Sequence, residues 1–178
     1  MDSSAILKEI EAAFAGVTRD PHQSLHQAQL TDQGLARRIH GQDWRDAGLR
    51  DPEEDWLDVP GESIDECDAA LSHFTPESWR FYIPAYICRS IVLFSAPDHE
   101  SELLERVVFN LTLHKRDDGL NAYLRQRYEM LSFPQATAVR SFLEFVERES
   151  LRLLEETNEF LEEYNDVRLA LERYWGDQ

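Results

Sequence analysis

Cations are scarce in this sequence: 18 Lys and Arg stand against 35 Asp and Glu, a formal net charge of −17. That imbalance argues against DNA, RNA and anionic membrane surfaces as direct partners, because phosphate contacts need Lys and Arg. Cysteine is scarcer still. Cys67 and Cys88 sit in unlike contexts with no motif spacing, which reads as reduced thiols in a cytosolic protein and not as a disulfide framework. No apolar run approaches the roughly 18 residues of a membrane span. The start Met1-Asp-Ser-Ser has neither a basic nor an apolar leader region, so no signal peptide is read and a cytoplasmic location is expected. Seven glycines and seven prolines fall mostly between periodic segments, which favours an all-α protein over a sandwich or barrel. A glycine-rich phosphate loop, a cysteine–histidine cluster and a nucleophile elbow are all absent, so neither a cofactor nor enzymatic activity is expected.

What is present suits one helical domain over residues 1–178: 42% hydrophobic and 11% aromatic residues are enough for a sizeable core. The densest stretch is Phe74 to Tyr86. Thr75 has the side chain of an N-cap, Pro76 suits the first helical position, and Glu77 places negative charge at the positive end of the helix dipole. Phe74 is expected to staple onto Trp79. Trp79, Tyr82, Ile83, Tyr86, Ile87, Ser90, Ile91 and Phe94 then form one helical face, widened by Phe81, Val92 and Leu93. Pro84 interrupts the pattern and predicts a kink or break near Tyr82–Ile83: a short helix, a bend, then a buried helix to about Phe94, closed by Ser95-Ala-Pro97.

The block Leu71-Ser-His-Phe-Thr-Pro-Glu-Ser-Trp-Arg-Phe-Tyr-Ile-Pro-Ala-Tyr-Ile87 resembles the signature of a family of uncharacterised bacterial proteins. Its members carry Leu-Thr-Pro-Glu, an aromatic, Arg, two aromatics and Leu-Pro-Ala. A second block is similar as well: Leu131-Ser-Phe-Pro-Gln135, Ala138-Val139 and Phe142-Leu143. Trp79 departs from the phenylalanine more usual there. The resemblance covers about half the chain and implies a shared fold unit and a bacterial source. It carries no catalytic residues across.

Elsewhere the periods are less even. Ser3 or Ser4 caps a first helix with Ile6, Leu7, Ile10, Ala13 and Phe14 inward, stopped by Gly16; Ser24 to His40 is weakly helical and split by Gly34. Between Asp43 and Asp68 eleven acids face only Arg45 and Arg50, with Trp44 and Trp56 interleaved. Solvated linkers seldom hold two tryptophans, so this reads as an ordered excursion pinned by both, with a short helix over Ile64–Leu71. Asp98 caps a helix bearing Leu103, Leu104, Val107, Val108 and Leu111, although a minor strand over 107–113 competes, since Phe109, Leu111 and Leu113 alternate with polar residues. Leu120 to Leu131 is a helix with Leu124 and Tyr128 inward. Ser132-Phe-Pro-Gln135 is a capping box. From residue 133 to 175 the helical period has no clear breaker, yet about 40 residues would span about 60 Å, so a break near Glu149–Asn158 is favoured. The resulting fold class is an irregular single-domain helical bundle around a kinked, buried central helix.

Several constellations are weighed and set aside. His22 and His26 have metal-ligand spacing but no third ligand, and read as surface histidines. His73, Glu77, Tyr82 and Tyr86 imitate an acid–base cluster that capping and packing explain equally well. Arg80 and Arg89 are expected to pair with carboxylates. What remains is the acidic surface. Asp51, Glu53, Glu54, Asp55, Trp56 and Asp58 of the excursion, with Glu155, Glu159, Glu162 and Glu163 of the last helix, are the candidate partner-binding residues. Aromatics ringed by charge are typical interface anchors. The function expected is a non-enzymatic binder of a basic protein, in its most concrete form an immunity protein covering a basic toxin such as a nuclease. An unrecognised enzyme at His73/Glu77/Tyr82/Tyr86 is the alternative, and a homodimer through the last helix is left open.

Overall fold

Thr75 starts the central helix by the chemistry expected of it: its Oγ1 accepts the Ser78 N–H at 3.2 Å and Pro76 occupies the first turn. The computed structural model describes residues 2–34, 41–96, 102–115, 117–157 and 163–177. Nine α-helices lie among them: α1 (Ser3–Phe14), α2 (Leu25–Asp32), α3 (Gln42–Gly48), α4 (Gly61–Glu66), α5 (Pro76–Phe94), α6 (Glu102–Asn110), α7 (Asp118–Tyr128), α8 (Phe133–Thr157) and α9 (Glu163–Arg173). Three 3-10 turns, Trp56–Asp58, Asp68–His73 and Trp175–Asp177, complete the described elements. No described residue forms a strand, and no described helix is long and apolar enough to cross a membrane.

α5 is the axle. It packs against α1, α4, α6 and α7, while α8 packs on α1 and folds back against α9. Eleven residues from Trp79 to Phe94 are buried, so almost every direction from this helix meets protein. That is why the break expected at Pro84 does not occur: α5 runs unbroken through 19 residues. The proline removes one hydrogen bond, and burial of Trp79, Phe81, Tyr82, Ile83, Tyr86 and Ile87 on both sides holds the helix together regardless.

Four other local expectations are corrected. Asp2, not Ser3 or Ser4, caps α1, its carboxylate accepting the Ala5 N–H at 2.8 Å. Phe74 does not staple onto Trp79; its ring stacks on Tyr82, centroids 4.8 Å apart. The short helix of the excursion is Gly61–Glu66, followed by the 3-10 turn 68–73. The strand competing at 107–113 is helix to Asn110, after which the chain passes Leu111 and Leu113 into the core. Alternation there reflects burial without a pairing strand. The long C-terminal period divides within the expected range: α8 ends at Thr157, and α9, described from Glu163, packs back on it. The Asp98 cap, and Leu35 and Ile39 of the weak second helix, lie outside the described residues.

Burial of ionisable groups in this core gives it an alkaline limit. Burial pushes the thiols of Cys67 and Cys88 from 9.0 up to about 12, and raises the phenols of Tyr82, Tyr86 and Tyr128 above 10.0. Groups with raised folded values stabilise the fold fully below their unfolded values. That contribution is lost as pH rises through the folded ones. These five groups should therefore leave stability unchanged to about pH 9 and erode it between pH 9 and 12. Urea midpoints measured against pH, alongside phenolate absorbance, check this. Phenolate appearing at ordinary tyrosine values with the fold intact would contradict it.

Candidate functional site

The acidic excursion is ordered, as its two tryptophans suggest. Trp44 and Trp56 are both buried, and the Trp56 indole N–H donates to the Phe14 carbonyl at 3.0 Å. α3 is seated on α2 through Gln27, whose Oε1 accepts the Ser24 N–H at 2.8 Å while its Nε2 donates to the Trp44 carbonyl at 2.8 Å. Gly48 makes this approach possible. A Cβ there would lie 2.7 Å from Gln27 Nε2.

The candidate residues separate into two kinds. Asp51 and Trp56 are interior and cannot meet a partner. Glu54, Asp55 and Asp58 are exposed and Glu53 is half-buried; with exposed Glu62 they make five carboxylates over residues 53–62 with no Lys or Arg between them. None of the five forms an ion pair among the described residues, although Asp55 also caps the 3-10 turn through the Leu57 N–H at 3.0 Å. The other acids nearby are compensated: Asp65 by Arg89, Glu66 by Arg50, and Asp68 by Arg106. The exposed anchors expected to be aromatic are aliphatic instead, Leu57 at 51% exposure and Leu49 at 81%. On the last helices Glu155 is exposed, whereas its neighbour Glu156 pairs with Arg152. Glu159, Glu162 and the side chain of Glu163 lie outside the described residues.

The acid–base imitation around α5 is taken up by the core. Tyr82 OH accepts the Leu25 N–H at 3.1 Å, and Tyr86 OH donates to the Cys67 carbonyl at 2.5 Å. His73 pairs with Asp32 at 3.2 Å, not with Glu77. Arg80 bonds the Gln135 side-chain oxygen at 3.1 Å where a carboxylate was expected; Arg89 does find one in Asp65. The N-terminus of α5 is tied to the 20–24 loop, with Thr75 and Ser78 hydroxyls donating to Asp20 Oδ2 at 3.0 and 3.2 Å.

Two arrangements were not foreseen. His26 is no surface partner of His22: it is buried, and its Nδ1 lies 2.5 Å from Asp51 Oδ1. Asp51 Oδ2 accepts the His26 backbone N–H at 2.8 Å, and the Arg19 guanidinium donates to the Asp51 carbonyl. A carboxylate at the first turn of α2 is favoured by the helix dipole. Arg127 is the second. It is fully buried on α7 and binds the Ser72 and Phe74 carbonyls, Asn110 and Tyr123, with burial lowering its pKa. No three His, Cys, Asp or Glu side chains among the described residues are placed to hold a metal ion.

No curated protein and no solved structure matches the chain. The model of one family spans residues 2–178, far beyond the two sequence blocks that suggested kinship, and the chain accordingly belongs to the family of unknown function DUF6714.

Proposed function

We propose that this is a non-enzymatic protein-binding protein whose acidic strip, Glu53 to Glu62, docks on a basic protein. The observation that carries this reading is five carboxylates without arginine or lysine between them, on a backbone fixed from beneath by Trp56, with Leu57 exposed in their midst. Unpaired carboxylates give long-range attraction and orientation. Leu57 and Leu49 supply the apolar contact that charge alone does not. Rigid presentation lowers the ordering cost of association. In its most concrete form the partner is a basic bacterial toxin, for example a nuclease with a positive cleft, and this chain is its immunity protein.

Association with the basic product of a flanking gene tests it. The wild-type on-rate is expected to fall with ionic strength, and Glu54→Lys/Asp58→Lys/Glu62→Lys should slow it by about tenfold or more. Leu57→Ser should mainly speed dissociation. A flanking basic protein that does not bind, or that binds the triple variant equally fast, would refute the reading.

A further inference from the structure

The cleft between α2 and α3 gathers acceptors, of which His26 Nε2 and Gln29 Oε1 have no hydrogen-bond partner among the described residues, while Glu66 accepts from Arg50 and Asp46 from Gln42. It encloses about 280 Å³ and is lined by His26, Gln29, Asp43, Asp46, Arg50 and Glu66, among others. His26 is 5% exposed, and its ring is oriented from behind by Asp51. With Nδ1 held by a carboxylate, the neutral form of the ring carries its proton on Nδ1 and turns the Nε2 lone pair to the cleft. Nε2 is buried and has no hydrogen-bond partner among the described residues. Its nearest charged neighbour, Glu66 Oε2 at 3.8 Å, is another acceptor. The Arg50 guanidinium beside Glu66 holds that carboxyl below its usual range, so it stays ionised. One turn along α2, Gln29 Oε1 is also buried without a donor. Asp43 and Asp46 add two further carboxylates to the wall.

Acceptors of this density call for a ligand that is all donor. Anions are repelled by three carboxylates set against the single guanidinium of Arg50. A bare metal ion needs its ligands within about 2–2.6 Å of one point, and no three candidate side chains among the described residues converge so. A guanidinium differs from both: it is positively charged, planar, and spreads five N–H donors over several ångströms. We propose that this cleft binds an alkylguanidinium, either a small free guanidine or an arginine side chain of a polypeptide, with His26 Nε2, Gln29 Oε1 and Glu66 as its acceptors. The volume suits one extended side chain and lies at the small end of ligand sites.

Titration of the 15N-labelled full chain with agmatine, read through the imidazole nitrogens of His26, tests this directly. Agmatine is expected to move the Nε2 resonance saturably at submillimolar concentration, leaving Nδ1 on Asp51. Glu66→Gln should weaken binding by about tenfold, the effect of losing one charge-assisted bond, and Gln29→Leu by several-fold. Both positions are away from the packed interior, and an unchanged amide spectrum confirms the fold. N-acetyl-arginine amide in a parallel titration distinguishes the sources: equal binding assigns the site to arginine side chains, preference for agmatine to a free guanidine. An unmoved Nε2 at millimolar agmatine, equal affinity in both variants, or Zn²⁺ binding there that agmatine cannot displace would each overturn the proposal. Agmatine needs no protein partner, so its failure would leave the acidic strip at 53–62 untouched.

Discussion

Arg127→Ala is expected to cost about 3–5 kcal/mol, a large share of the 5–15 kcal/mol typical of a whole domain. The guanidinium is fully buried yet has no carboxylate partner among the described residues. Its charge is met by dipoles. Nη2 donates to the Phe74 carbonyl at 2.7 Å and the Ser72 carbonyl at 3.0 Å, at the end of the 3-10 turn 68–73, where unpaired carbonyls concentrate negative potential. Nη1 reaches Asn110 Oδ1 at 3.2 Å, and the Tyr123 ring lies against the guanidinium, 4.1 Å from centroid to Cζ. One side chain therefore fastens α7 to the segment that launches α5 and to the end of α6. Truncation leaves a cavity and takes the guanidinium donor from Asn110 Oδ1 and the Ser72 carbonyl, while the Phe74 carbonyl keeps the Tyr123 hydroxyl at 2.7 Å; a buried acceptor left unsatisfied costs about 1–3 kcal/mol. Arg127→Met separates these effects: it refills the volume without restoring the donors to Ser72 and Asn110, so it should fall between wild type and alanine. Arg127→Lys keeps the charge without the fork and should not restore full stability. Urea denaturation with unchanged m-values measures all three. An alanine variant within about 1 kcal/mol of wild type would show that the carbonyls find other donors.

Arg127 also shows why part of this molecule was not legible in its sequence. Its position follows Leu120 by seven and Leu124 by three, on the buried face of α7, so the helical period does mark it. Charge hides it, because arginine on a helix ordinarily reads as solvated surface. His26 and Asp51 are harder still. They are 25 residues apart in chain, and no period or motif joins them. Local chemistry was readable where it is truly local: the Thr75 cap, the Gln135 side chain accepting the Ser132 N–H at 3.0 Å, and the tryptophans pinning the excursion. It misled where tertiary packing outweighs a local preference, as at Pro84, and where burial imitates a strand, as at Leu111 and Leu113. The candidate partner surface divides in the same way. Composition identified the acidic segment, while the separation of interior Asp51 and Trp56 from exposed Glu54, Asp55 and Asp58 required the fold.

Trp175→Ala should be comparably damaging, at about 3–5 kcal/mol, although it lies at the edge of the last described helix, where substitutions are usually tolerated. The indole is fully buried and donates its N–H to the Leu111 carbonyl at 2.7 Å. That carbonyl belongs to the segment leaving α6, just past the last helical residue Asn110, where it has no helical donor. The ring packs 4.8 Å from Tyr128, which in turn lies 5.9 Å from Trp79 on the central helix. Trp175 thus connects the turn after α9, through Tyr128, to α5. Trp79 offers an internal control: its indole is equally buried, but its N–H has no partner among the described residues. Phenylalanine removes the N–H at either site and leaves a similar shortfall in volume. Trp175→Phe should therefore exceed Trp79→Phe by about 1 kcal/mol, the net contribution of one hydrogen bond. Equal losses in chemical denaturation would mean that the Leu111 bond contributes nothing and that packing alone holds the turn after α9 in place.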